Sequence, residues 1–295
     1  MSIPSGEPPI GGTLSVIRSL LPALVPSERR VAAQFLEHPA EISLLSVADV
    51  AARANVSAAT VIRTCKNLGF KGFQHLRLLL VRDFGSVQSP RDQRLDATAS
   101  QDWVPAYFAA AAQRWSEALG TLDYAQFDSA AAALARARRI LIVGNGGSGP
   151  PAQLFALYML SRGQGCEAPM DSVTQQLSAR TLDQRDVVVA VSDSGENAVT
   201  LQAVTAAKGT GATIIAISGY ARSQLCVDSD LALVAGAGHT GITDSEAGVA
   251  SNVVQILLLF VLNTAIAREA GQSAEPTAAV RDQVMTLVSK SERAD

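Results

Sequence analysis

Four short apolar runs most constrain what this chain can fold into. Arg139-Ile-Leu-Ile-Val143, Val187–Val191, Thr213–Ile217 and Leu231–Val234 are each bounded by Gly, Ser or Asp. Helically patterned segments separate them at about 149–162, 196–208 and 246–269. A strand with one wet face alternates apolar and polar residues, whereas a strand covered on both faces is apolar throughout. Continuous runs alternating with helices therefore predict an α/β fold, a parallel sheet sandwiched between helical layers. No repeat at solenoid spacing runs along the chain, so a stacked-repeat architecture is excluded.

The first third follows a different rule. Residues 1–13 are rich in Pro and Gly and predict no regular structure. Pro26-Ser27-Glu28 opens a helix that Ser27 can cap, with Val31, Phe35 and Leu36 on one face and a stop near His38-Pro39. Ser46 caps a second helix with Val47, Val50, Ala51 and Ala54 inward, and Ser57 caps a third with Val61, Ile62 and Leu68 inward. Gly69 stops the third. A fourth, about Gly72 to Phe84, carries Leu76, Leu78, Leu79, Leu80 and Val81. Residues 85–100 are polar and unpatterned, and an Ala-rich helical stretch is expected at about 103–135. The expected organisation is an all-helical domain over 14–84, a linker over 85–102 and an α/β domain over 103–290. The length of 295 residues agrees with two domains of ~150 residues.

Charge separates the same two parts. Residues 1–90 hold nine basic and six acidic groups, net +3, and the remainder is net −6, so the total of −3 conceals a basic head. Within 53–82 lie Arg53, Arg63, Lys66, Lys71, Arg77 and Arg82, with no acid between them. In the same stretch Leu45 to Gly69 reads as a helix, a tight turn at Asn55-Val56-Ser57 and a second helix, a helix-turn-helix layout. The second helix begins with small residues that can approach the floor of a major groove. Double-stranded DNA is the expected partner, met by Ser57, Ala58, Thr60, Arg63, Lys66 and Lys71, with Arg77 and Arg82 extending the phosphate footprint.

The second half carries three loops that each follow a predicted strand. Gly144-Asn-Gly-Gly-Ser148-Gly149 lacks the lysine of a Walker loop, and its glycines let backbone N–H groups approach an anion. Its spacing also fits a dinucleotide fingerprint, for which Glu167 or Asp171 would be the ribose-binding acid. Ser192-Asp-Ser194-Gly195-Glu-Asn197 and Ser218-Gly219 end the next two strands. Three Ser/Gly loops at one carboxyl edge predict a pocket for a phosphate or polyhydroxyl ligand.

No metal spacing joins Cys65, Cys166 and Cys226, and no metal or cofactor is expected. The thiols read as idle in a reducing, cytoplasmic setting. The N-terminus lacks the pattern of a secretory leader. Val253 to Leu262 is too short a run to span a bilayer and reads as a buried helix, so no membrane is expected.

Together these segments resemble the RpiR family of bacterial transcriptional regulators, in which an N-terminal helix-turn-helix domain is joined to a C-terminal sugar isomerase (SIS) domain. The resemblance covers about residues 14–84 and 138–270. It is carried by Ser57 to Arg63 with Leu68-Gly-Phe-Lys-Gly-Phe73, by Gly144 to Ser148, by Ser192 to Gly195, and by the spacing of Ser218-Gly219, Ser223-Gln-Leu225 and Asp230. It implies a regulator whose operator binding responds to a sugar phosphate or related metabolite, and a homodimer or homotetramer. Ser148, Ser192 and Ser194 would hold the phosphate. The wider candidate set is Gly144, Asn145, Gly146, Gly195, Asn197, Ser218 and Glu246. Three positions depart from the family pattern: Asn197 replaces a threonine, Asp193 stands between two serines, and Asn252 follows Ser251 where an arginine is usual.

Two other functions compete. A sugar-phosphate isomerase would need a proton-transferring base, for which His239 and Glu246 are the attractive pair. An NAD-binding regulator would use the glycine fingerprint. A basic helix-turn-helix has no role in a pure isomerase, which favours the regulator and predicts no catalytic residue.

Overall fold

The computed structural model describes residues 7–85, 99–235, 247–269, 271, 282–284 and 286–287. The helical part comprises α1 (Thr13–Leu20), α2 (Pro26–Glu37), α3 (Pro39–Ile42), α4 (Val47–Arg53), α5 (Ala58–Asn67) and α6 (Phe73–Gly85). Ile17, Leu20, Val31, Phe35, Val50, Val61, Leu68, Leu76 and Leu80 form its fully buried centre. Ser46 and Ser57 cap α4 and α5 as the sequence predicts, accepting from the N–H groups of Asp49 and Thr60.

Both ends of the helix-turn-helix close in the same way. Asn55 takes φ +50° after α4, and the Val56 N–H returns to the Ala51 carbonyl at 3.0 Å. Gly69 takes φ +88° after α5, and the Phe70 N–H returns to the Cys65 carbonyl at 2.9 Å. Each left-handed residue satisfies carbonyls that a helix end leaves open.

Several expectations need correction. Helix α1 was not foreseen, because its first N–H is capped by Asp83 Oδ2 at 3.1 Å, a partner seventy residues away. Ser27 does not cap α2: Pro26 already occupies its first turn and Val25 is the cap residue. Ile62 points outward, 40% exposed, as do Leu78 and Val81. Val61, Thr64, Cys65 and Leu68 take the inner face of α5, and Ile62 lies about 100° round the helix from Val61.

The second part follows as α7 (Ser100–Ala118), α8 (Tyr124–Arg136), β1 (Ile140–Gly144), α9 (Gly149–Ser161), α10 (Ser172–Arg180), β2 (Val187–Val191), α11 (Ala198–Lys208), β3 (Thr213–Ser218), α12 (Gln224–Asp228), β4 (Leu231–Val234) and α13 (Ala247–Glu269). The four strands are all parallel in the order β1-β2-β3-β4. Ile140, Ile142, Val187, Val189, Ile215 and Leu233 pack against the layer of α8, α9 and α13. Leu141, Val143, Val188, Ala190, Ile214 and Ala216 pack against the opposite layer of α10, α11 and α12. Burial on both faces is why the strands read as unbroken apolar runs.

The helical stretch expected over 103–135 is divided into two helices. A 3-10 turn at Leu119–Thr121 ends the first, and Asp123 restarts the chain by accepting from the N–H groups of Ala125 and Gln126. Helices α10 and α12 are short and were also unforeseen. Helix α13 is long and apolar enough to cross a membrane, but Val254, Leu258, Leu259, Leu262 and Ile266 are buried in the core. Burial pushes the Cys65 thiol up to about 12 and the Cys166 thiol up to about 11, so both stay protonated and unreactive near neutral pH.

Candidate functional site

One candidate surface is the outer face of α5. Ser57, Ala59, Arg63 and Lys66 are exposed there, and Ala58 and Thr60 are half-buried. Ser57 Oγ lies 2.9 Å from Thr60 Oγ1 and accepts the Thr60 N–H, so these two hydroxyls stiffen the start of the helix. Lys71 is exposed beside a cleft of about 440 Å³ that Val47, Ile62, Phe73 and His75 also line. Helix α2 braces the motif from behind. Arg30 donates to the carbonyls of Ala54 and Asn55 in the turn, at 3.1 and 3.3 Å.

The basic stripe is free of acids in sequence but not in space. Arg53 pairs with Glu41 at 2.7 Å and holds that carboxyl below its ordinary value through the hydrogen bond. Arg82 pairs with Asp83 and donates to the Pro9 carbonyl, which makes it a brace for α1 instead of an extension of the footprint. Arg63 Nε lies 3.4 Å from Glu28 Oε1, and the same oxygen accepts from Asn67 Nδ2 at 2.7 Å. Lys66 and Lys71 remain on the exposed face. Sequence reasoning missed Glu28 and Arg30 as parts of this surface; both precede it by about a helix-turn-helix length and only packing brings them to it.

The other candidate surface is the carboxyl edge of the sheet, where three loops interlock. Ser148 Oγ accepts the Asp193 N–H at 3.3 Å, joining the first loop to the second. The Gly219 N–H reaches the Asp193 carbonyl at 2.9 Å, and Ser218 Oγ donates to that carbonyl at 3.2 Å, joining the second to the third. Ser218 also lies 3.3 Å from Ser223 Oγ. Ser148, Ser192 and Ser218 are buried, and Ser194 is exposed at the rim.

Two glycines permit this approach. Gly195 has φ +66°, and a Cβ there would collide with Ser223 Oγ and Cβ. A Cβ on Gly144 would sit 2.5 Å from the Ser148 carbonyl oxygen and 2.8 Å from Ala152 Cβ.

Other candidates are turned to structural tasks. Asn145 Nδ2 donates to Gln175 Oε1 and Thr200 Oγ1, both at 3.0 Å, which ties the end of β1 to α10 and α11. Asn197 Oδ1 caps α11 by accepting from Val199 and Thr200. Helix α9 opens with Gly149-Pro150-Pro151, and two prolines remove N–H donors from its first turn. Asp193 holds its carboxylate over Gly219, whose Cβ would come 2.7 Å from Oδ1. Asn252 stands beside the first loop, 3.8 Å from where a Gly147 Cβ would be. Glu246 and His239 lie outside the described residues.

The dinucleotide alternative loses both of its acids. Glu167 is bonded to Arg139 at the amino end of β1, opposite the ligand edge, and Asp171 caps α10 through the Thr174 N–H.

The loop after β3 also touches the helical part. The Ala221 N–H donates to the Ser19 carbonyl at 3.0 Å, and Arg222 Nη2 donates to the Asn67 carbonyl at 3.1 Å. Asn67 is the last residue of α5.

Residues 11–86 match the helix-turn-helix domain of the rpiR family, and residues 133–266 match the SIS domain. The chain belongs to the RpiR family. It is similar to an uncharacterised HTH-type transcriptional regulator of Caldanaerobacter subterraneus subsp. tengcongensis, 29% identical over 87% of this chain and 90% of the relative. Vibrio vulnificus NanR, solved in complex with ManNAc-6P, superposes with a TM-score of 0.57 at 21% identity, over 94% of this chain and 98% of NanR. The sugar isomerase domain of an RpiR transcription factor from Sphaerobacter thermophilus superposes with a TM-score of 0.53 at 21% identity, over 60% of this chain and 96% of that one. This RpiR-family member is thus a DNA-binding HTH-type transcriptional regulator with a SIS domain.

Proposed function

We propose that a sugar phosphate or related phosphorylated metabolite, bound at the three sheet-edge loops, modulates operator binding by α5. One observation carries this reading. The loop from Ser218 to Ser223 holds two serines of the candidate pocket and, through Arg222, grips the carbonyl that ends α5. A ligand that moves this loop changes the support of the recognition helix, which is the differential contact a two-state regulator needs. Ser148, Ser192, Ser194 and Ser218 supply hydroxyls and Gly144, Gly146 and Gly195 let backbone approach, while Asn145 and Asn197 frame the pocket and Glu246 joins the set on the sequence alone. Ser57, Ala58, Thr60, Arg63, Lys66 and Lys71 meet DNA. The division at 14–84, 85–102 and 103–290 assigns the two tasks to two domains.

The acting unit is a homo-oligomer. Leu157 and Leu160 of α9 and Phe260 and Val261 of α13 are exposed, and Tyr158 of α9 meets the Phe260 ring edge-on, so the two helices together offer apolar side chains suited to a second copy.

The pocket is tested by thermal shift against a panel of phosphorylated sugars. A ligand at one hundred times its Kd adds about 2.7 kcal/mol. That stabilisation is expected for the parent and absent from the Ser148→Ala, Ser194→Ala double variant. An equal shift in both would sink the phosphate-loop assignment.

A sugar-phosphate isomerase reading draws on the likeness to a solved sugar isomerase domain. It requires turnover of a phosphosugar that is lost on His239→Ala. The regulator reading expects no turnover above the buffer rate from either protein.

A further inference from the structure

Glu28 is a carboxylate in an unexpected place. Its side chain is only 7% exposed, yet it lies against the helix that the preceding reading places in the major groove. DNA repels carboxylates, so an acid behind a recognition helix needs a reason to be there.

The geometry supplies one. Glu28 is the third residue of α2, where the positive end of that helix favours its charge. Its Oε1 accepts from Asn67 Nδ2 at 2.7 Å and faces Arg63 Nε at 3.4 Å. Arg63 and Asn67 are one turn apart on α5, so one oxygen is hydrogen-bonded to Asn67 and ion-paired with Arg63. The Arg63 side chain is still 62% exposed. A guanidinium is planar, with donors along two edges. The ion pair at Nε draws that edge toward Glu28 and leaves the far edge, with its paired N–H groups, for an outside acceptor. That edge is the fork that reads the O6 and N7 acceptors of guanine.

We propose that Glu28 is a positioning residue for DNA recognition. It fixes the Arg63 guanidinium for base readout and, by neutralising part of its charge, reduces its sequence-independent attraction to phosphates. An untethered arginine binds any duplex; a tethered one favours the duplex whose acceptors match its fixed edge. The inference rests on α5 being the recognition helix.

Glu28→Gln tests it in the full-length chain. The amide is nearly isosteric and its oxygen still accepts from Asn67, so the fold is retained, with Tm as the check. Two duplexes are used: one selected by the parent protein from a random-sequence pool, and a scrambled version of it. Glu28→Gln is expected to bind the scrambled duplex several-fold more tightly and the selected one less tightly. The ratio of the two affinities then falls by about tenfold, the cost of one base contact. The salt dependence on scrambled DNA steepens by up to ~0.9 in log-log slope, one extra phosphate. In an Arg63→Ala background, Glu28→Gln should change neither quantity.

A parental ratio and slope in Glu28→Gln would overturn the proposal, whether or not Tm falls, because a purely structural glutamate moves only Tm. An undiminished effect in the Arg63→Ala background would overturn it too. If Arg63→Ala and Lys66→Ala themselves leave the selected duplex bound as before, the recognition-helix reading falls with it. Loss in those variants beside a parental Glu28→Gln refutes the role of Glu28 alone.

Discussion

A Gly195→Ala protein is expected to melt well below the parent and to lose its response to phosphorylated sugars. Two costs add at this position. The backbone is left-handed at φ +66°, which costs an alanine about 1–2 kcal/mol. The new methyl also meets Ser223 Oγ and Cβ inside contact distance, and such overpacking typically costs about 1–3 kcal/mol. The total of roughly 2–5 kcal/mol corresponds to a Tm lowered by about 5–15 °C for a domain of about 150–250 residues. Relief of the clash must move Ser223 and, with it, Ser218, Asp193 and the loop that carries Arg222, since these groups are bonded to one another. Gly146→Ala separates the two costs. It has a similar φ of +59° but nothing within 4 Å of a Cβ, so only the backbone penalty applies. Equal melting temperatures for the two variants would show that the close approach of the loops is not a constraint.

The second large effect is on DNA. Arg63→Ala with Lys66→Ala is expected to weaken binding to a parent-selected duplex by about two orders of magnitude or more at moderate salt, each contact contributing about 1–3 kcal/mol. Their roles differ. Lys66→Ala alone should weaken all duplexes alike and flatten the salt dependence, as loss of a phosphate contact does. Arg63→Ala should also narrow the gap between selected and scrambled duplexes. Its Tm should fall slightly, because Glu28 loses its ion-pair partner and keeps only Asn67, whereas Lys66 has an exposed side chain whose removal leaves the core untouched. Gel-shift or anisotropy titrations across a salt series measure both; unchanged affinities in the double variant would place the DNA-reading surface elsewhere.

The two candidate surfaces were legible in the sequence to different depths. Caps at Ser46 and Ser57 and the stop at Gly69 were readable because each is a bargain between residues at most five apart. The four strands were readable because burial on both faces leaves only apolar residues to choose from. Helix α1 was not, since its cap comes from Asp83. Ile62 was misplaced because two adjacent apolar residues, Val61 and Ile62, left the boundary of the inner face ambiguous, and the packing of α2 against α5 decided it.

The ligand edge shows the same limit. The order of the Gly and Ser loops was visible, and so was the departure at Asn252. That Asn145 faces α10 and α11, that Asn197 caps α11, and that Asp193 lies over Gly219 depended on which donors the folded chain brought near.

By itself, then, the chain's order of residues determined most of the elements, the two-part architecture and the sites where loops must fall. These follow from backbone hydrogen bonding, φ preferences and the side-chain period, all of which act over a few residues. The partners of Arg53, Arg63 and Arg82, and the grip of Arg222 on Asn67, were decided only by the tertiary structure. Burial of the apolar faces sets which helices meet, and a charged side chain then pairs with whatever that packing places within reach. A stripe without acids in sequence thus acquired Glu28 in space.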